Sequence, residues 1–182
     1  MFLDHLHTED IILIFNKVLT SGDCSNRDSY FRRQVVRAVV FKDDKLLLIN
    51  TNKGDYKFPG GGIEQNESHS ETLTREVIEE TGYHVDNVNE PVGIVIERKP
   101  DKFDSTKIFE MTSYYYLCDI GRRQVEQTLD EYEAEQGFKP VWISLNEALA
   151  KNKELIEQKK NGLNPWVIRE TIVMQELKSN RF

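Results

Sequence analysis

Apolar positions near the N-terminus recur at helical spacing: Ile11, Ile14, Phe15 and Val18 fall on one face. Thr8 stands where a helix needs a cap, and Glu9 and Asp10 suit the positive end of a first turn. This predicts an amphipathic helix over the first twenty residues. Its apolar face requires a partner, either the rest of the chain or a second copy in a homodimer. A polar stretch from Thr20 to Asp28 reads as a linker. The predicted organisation is a helix and linker over residues 1–29, then one compact domain over 30–182 that includes the C-terminal helices.

The spacing changes after Tyr30. Gln34–Phe41 and Lys45–Asn50 are β-rich runs around Asp43-Asp44, the pattern of a hairpin. Both are almost continuously apolar, so the sheet they belong to is covered on both faces. Val88–Glu97 and Lys107–Cys118 are strand-like. In the second, alternation turns Tyr114 and Tyr116 one way and Tyr115 the other. Pro140–Ile143 predicts a short strand at an edge, because Pro140 has no N–H for a ladder. Ser144-Leu145-Asn146-Glu147 is a capping box that opens a helix. Asn164-Pro165 predicts a second helix start, continued by Trp166, Ile168, Ile172 and Leu177. Strands interleaved with helices make a mixed α/β sandwich.

Composition narrows the function. The chain has 182 residues, 30% charged and 38% hydrophobic, with a net charge of -7. It repels nucleic acid as a whole and shows no basic stripe for a long polyanion. A small phosphorylated substrate remains open, because cations can neutralise it locally. Cys24 and Cys118 have no metal-ligand spacing and read as reduced thiols of a cytoplasmic protein. No basic stretch of a signal peptide stands at the N-terminus. The apolar run Ile11–Phe15 is too short to span a membrane.

The chemistry lies between Tyr56 and Tyr83. Three glycines, Gly60 to Gly62, let the backbone approach a ligand. A helix follows, opened by a Ser68/Glu71 capping box and stopped at Gly82. Glu76, Glu79 and Glu80 share one face of it, where carboxylates repel one another and a purely structural helix gains nothing. A hard cation with oxygen ligands resolves the conflict. Arg75, four residues before Glu79, is placed to orient that carboxylate.

The segment resembles the signature of the Nudix (MutT-like) hydrolases, matched at Gly61, Glu67, Arg75, Glu76, Val77, Glu79, Glu80, Gly82 and Tyr83. The resemblance runs from Tyr30 to about Leu149. It implies an α/β/α sandwich with a mixed sheet, preceded here by the N-terminal helix. Asn66 replaces a glycine common in the family; asparagine tolerates the same left-handed turn. The resemblance further implies Mg2+, with Mn2+ able to substitute, held by Glu67, Glu76, Glu79, Glu80 and the Gly60 carbonyl. Water then attacks one phosphorus of a diphosphate. Candidate bases are Glu76 or an acid of the later loop Thr128–Gly137, where Glu135 is preferred, then Glu133. Gly61, Gly62 and Arg98 are expected at the substrate. Tyr56 and Phe58 are expected either to stack on a base or to enter the core.

By this resemblance the substrate is a small nucleotide, with neither nucleic acid nor membrane as partner. A nucleoside triphosphate or an oxidised one leads. ADP-ribose or another nucleotide sugar is the alternative: that subgroup carries a proline fifteen or sixteen residues after the box, and Pro100 stands seventeen after Tyr83. A non-catalytic sensor on the same fold is disfavoured by the intact box. His5, His7, His69 and His84 have no ligand spacing.

Overall fold

The structure is a computed structural model that describes residues 13–158 and 162–180. Its strands are β1 (Phe15–Thr20), β2 (Ser29–Val39), β3 (Phe41–Lys42), β4 (Lys45–Asn50) and β5 (Tyr56–Lys57). Then come helix α1 (His69–Thr81), β6 (Tyr83–Pro100), β7 (Lys107–Gln124) and the short helix α2 (Glu131–Glu135). Strand β8 (Lys139–Ser144), α3 (Leu145–Glu157) and α4 (Val167–Ser179) complete the chain. One mixed sheet has the order β1-β6-β7-β2, with β1 parallel to β6 and β2 parallel to β7. The second is antiparallel, with β4 between β8 on one side and β3 and β5 on the other.

The apolar run from β2 through Val40 serves two cores. Val36, Ala38 and Val40 join Leu47, Leu73, Val77 and Cys118 beneath α1. Val39 joins Leu46, Leu48, Phe58 and Tyr115 beneath α3 and α4, with Leu149, Met174 and Leu177. Alternation along the strands thus divides one hydrophobic stretch between two faces, and three layers result. The Asp43-Asp44 hairpin forms with both residues at positive φ, 49° and 59°, as its two-residue turn requires. Tyr115 is fully buried, while Tyr114 and Tyr116 pack on the opposite side.

The N-terminal expectation needs correction. Thr8 to Ile11 lie outside the described residues, but Phe15–Thr20 is strand, not helix. The free edge of β6 offers a ladder from Phe15↔Gly93 to Thr20↔Arg98, which local helical periodicity cannot match. Phe15 is the anchor: its ring fills the space a Cβ at residue 93 would occupy and meets Tyr115 edge-on, 5.6 Å between centroids. Val18, placed by the helical reading on the apolar face, is exposed.

The C-terminal boundary also shifts. Asn164 does not cap α4, which begins at Val167 with no side-chain cap. Its side chain instead donates to Asp55 Oδ1 at 2.8 Å and accepts from Lys53 Nζ at 2.8 Å, tying down the 51–55 turn. The Ser144/Glu147 box opens α3 as expected, and Pro140 lies on β8, an outer strand of its sheet. No helix among the described residues is long and apolar enough to cross a membrane.

Candidate active site

The glycine loop is laid along β2 as a partial strand. Ala38 N donates to Pro59 O at 2.8 Å, Val36 N donates to Gly61 O at 3.0 Å, and Val35 bridges Gly62. A Cβ at Gly61 would overlap the Glu76 carboxylate, so a larger residue there would displace that side chain from its present position. Helix α1 begins with the Ser68/Glu71 capping box and ends at Gly82 in the left-handed conformation. Asn66 is also left-handed, with φ 71°.

Those boundaries set the rotation of the helix and hence what each glutamate meets. Glu80 turns inward and is 1% exposed. It accepts from Lys57 Nζ at 2.5 Å and from Gly60 N at 2.9 Å. Burial pushes the Lys57 ammonium down and the Glu80 charge opposes it. Arg75 is a hub: Nε and Nη2 form a fork to the two oxygens of Glu67, at 2.7 and 2.9 Å. Its Nη1 reaches Glu76 at 2.9 Å and Glu79 at 3.2 Å. Arg75 therefore holds Glu67 and Glu76 as well as the Glu79 expected from spacing. The fork keeps the Glu67 carboxyl at about 2. Burial, then the neighbouring Glu80, raises Glu76.

Of the acids in the later loop, Glu133 is the one that converges on Glu76 and Glu80. Helix α2 is opened by Asp130, whose backbone N donates back to Glu133 Oε2 at 3.1 Å. One oxygen each from Glu76, Glu80 and Glu133 lies within 4.8 Å of the others. Burial and the Glu80 charge push Glu133 up to about 7. Glu135, the preferred residue from sequence, is exposed, and only its backbone is engaged, accepting from Asn52 Nδ2 at 2.8 Å. Glu79 lies at the margin, turned to Arg75 and outside the convergent trio. Hard oxygen donors that repel one another until a cation arrives are a donor set that fits a divalent ion such as Mg2+.

Residues 31–166 match the NUDIX domain family. The chain belongs to the Nudix family. It is similar to an ADP-ribose pyrophosphatase of Methanocaldococcus jannaschii, 29% identical over 124 residues, covering 65% of this chain and 70% of that protein. Among solved structures it resembles a NUDIX hydrolase from Nitrosomonas europaea, with TM-score 0.54 and 22% identity over 83% of this chain and 91% of the other. It also resembles the E. coli ORF135 protein, with TM-score 0.53 and 23% identity over 84% and 94% of the two chains. Both likenesses concern the fold. The family and the trio of carboxylates make this Nudix chain a pyrophosphohydrolase.

In this Nudix hydrolase the trio opens onto a cavity of about 890 Å³. Gly60, Gly61, Gly62 and Arg98 line it, Arg98 held to Glu110 at 2.8 Å. Tyr56 and Phe58 do not line it. Phe58 is fully buried beside Tyr115, and Tyr56 packs on the same core with its backbone N and O held by Asn152, both at 2.9 Å. Alternation along β5 sends Lys57 to the cavity instead. Sequence reasoning passed over Lys57 and also Arg37, Tyr132 and Trp166, which line the cavity too. A lysine between two core aromatics was a usable signal, since a buried ammonium needs a carboxylate partner.

Proposed function

We propose that this Nudix hydrolase cleaves the diphosphate of ADP-ribose or a closely similar nucleoside-diphosphate sugar. The observation that carries this reading is the lining of the cavity. Two apolar walls border it: Val18, Phe109 and Met111 from the long mixed sheet, and Tyr132, Phe138 and Trp166 from the α2 and α4 side. A substrate with an organic group on each side of its diphosphate uses both walls, whereas a nucleoside triphosphate has one such group. The volume suits a ligand of that size, and the name of the Methanocaldococcus relative agrees.

Glu76, Glu80 and Glu133 would hold a divalent cation, Mg2+ or Mn2+, with Glu67 and the Gly60 carbonyl beside them. When bound, the ion supplies positive charge against the phosphate oxygens and lowers the pKa of a coordinated water. Arg75 fixes Glu67 and Glu76, so neither has to reorganise during the reaction. Lys57 and the Gly60 N–H fix both oxygens of Glu80. Glu133, facing Glu76 and Glu80 from the α2 side, is the carboxylate placed to take the proton of the attacking water. The new P–O bond forms as the bridging P–O bond breaks, and ADP-ribose yields AMP and ribose 5-phosphate.

The test is a product assay over ADP-ribose, nucleoside triphosphates, dinucleoside polyphosphates and NADH with Mg2+ and with Mn2+. AMP release from ADP-ribose should exceed turnover of every triphosphate. Efficient release of pyrophosphate from a triphosphate, with ADP-ribose left intact, would sink this reading in favour of the nucleoside triphosphate alternative.

A further inference from the structure

One buried cation on the cavity wall has donors without an acceptor. Arg37 on β2 is 8% exposed and lines the cavity, and its Nε and Nη1 are buried with no hydrogen-bond partner. Leaving buried donors unpaired is costly, and more so for a charged group. The nearby carboxylate oxygens have other donors: Glu80 takes Lys57 and Gly60 N, and Glu76 takes Arg75. Other cations of the wall are engaged as well, Lys57 with Glu80, Arg98 with Glu110, and Arg169 with Glu97 and Glu170.

Position adds a second argument. The glycine loop crosses β2 at this residue, and a Cβ at Gly60 would press on the Cα of Arg37. Alternation brings Arg33 to the same cavity, with its guanidinium beside Gly62. An acceptor that enters through the cavity, carries negative charge and offers several oxygens suits a guanidinium whose donors point in different directions. A diphosphate has all three properties.

We propose that Arg37 contacts the diphosphate oxygens of the substrate, acting as a binding residue on β2 opposite the acidic face of α1. This rests on the diphosphate part of the reading above and not on which groups flank it.

The test is calorimetric titration of the full chain with imidodiphosphate, a non-hydrolysable diphosphate, in excess Mg2+. Arg37→Gln should weaken binding roughly 10- to 100-fold, the loss of hydrogen bonds from a charged donor. Arg37→Lys, which keeps the charge and loses the fork, should fall between that variant and the wild type. Arg32→Gln is the control, because Arg32 is exposed and paired with Glu110; it should bind like the wild type. The melting temperature without ligand should hold or rise in Arg37→Gln, since an unpaired buried charge is removed. Wild-type affinity in Arg37→Gln, or a lower melting temperature with affinity unchanged, makes Arg37 a structural charge balance and overturns the proposal. Should Arg37→Gln not fold, wild-type affinity in Arg37→Lys overturns it alone. If imidodiphosphate binding depends on Arg37 while ADP-ribose is not cleaved, the substrate assignment falls and this inference stands.

Discussion

Two groups of charges lie along the same cavity and are built on different plans. Around Arg169 every charge is answered within the chain. Its Nη1 meets Glu97 at 2.6 Å, Nη2 meets Glu170 at 2.7 Å, and Nε donates to the Tyr115 hydroxyl at 3.1 Å. Glu170, fully buried, also accepts from Phe58 N at 3.4 Å. Around Glu76, Glu80 and Glu133 three carboxylates converge; Arg75 holds the first and Lys57 the second, yet the Glu80 charge still raises both of its neighbours. A closed network of this kind fixes a packing arrangement. An open one costs stability and is retained where something outside the chain completes it. Burial differs less cleanly, since Glu80 is as buried as Arg169 while Glu76 and Glu133 are only partly so.

The largest effect should come from the open group. Glu76→Gln should lower kcat/KM by about 10³-fold, the scale at which preorganised electrostatic groups act. Its melting temperature should not fall, because the change relieves repulsion from Glu80. A melting temperature that falls together with activity would erase the contrast. Next is Arg169→Met, which strands Glu170 in the core. Breaking a buried pair on one side costs about 3–5 kcal/mol, measurable by urea denaturation. A loss under about 1 kcal/mol would show that the closed network is not needed for stability.

A smaller effect concerns Glu133. Its carboxyl is raised to about 7 in the fold, from 4.5. The folded state therefore favours the protonated form. That contribution is full below pH 4.5 and is lost as pH rises to about 7. In EDTA the wild type should lose melting temperature across this window, by roughly a few degrees at most because Glu133 is part-exposed. Glu133→Gln should flatten the slope, and divalent cation should reverse it in the wild type only. Equal slopes in both proteins would remove Glu133 from the open group.

The smallest effect tests the layer under α1. Burial pushes the Cys118 thiol up to about 12, whereas Cys24 is partly exposed. At pH 8 the thiolate fraction at Cys118 is on the order of 10⁻⁴. A thiol reagent should label Cys24 in the native protein and both cysteines in guanidinium. Native labelling of Cys118 at the rate of Cys24 would mean that this layer opens.

The box was legible because its geometry is local. The Ser68/Glu71 cap, Arg75, Glu76, Glu80 and Gly82 act through one helix, whose period converts spacing directly into faces. The left-handed turn at Asn66 followed from its residue type. The later loop was not legible in the same way. Glu133 and Glu135 differ by about 200° around a helix, so which one faces α1 depends on how a five-residue element docks. Phe58 and Tyr56 suited a stacking role or a core role equally, and only the position of β5 under α3 and α4 decided between them.

The sequence by itself determined the reaction class, the helix that carries the carboxylates and the existence of a sheet covered on both faces. The helix and the covered sheet follow from residue type and short-range period, and the reaction class from the resemblance to the Nudix signature. The tertiary structure alone decided that Phe15–Thr20 is a strand, that Glu133 completes the trio, and that Lys57 and Arg37 stand on the cavity wall. These depend on partners far away in sequence: a strand edge waiting at β6, a carboxylate at Glu80, a glycine loop crossing β2. Local preference amounts to a few tenths of a kcal/mol per residue, and a ladder of hydrogen bonds or a buried ion pair outweighs it.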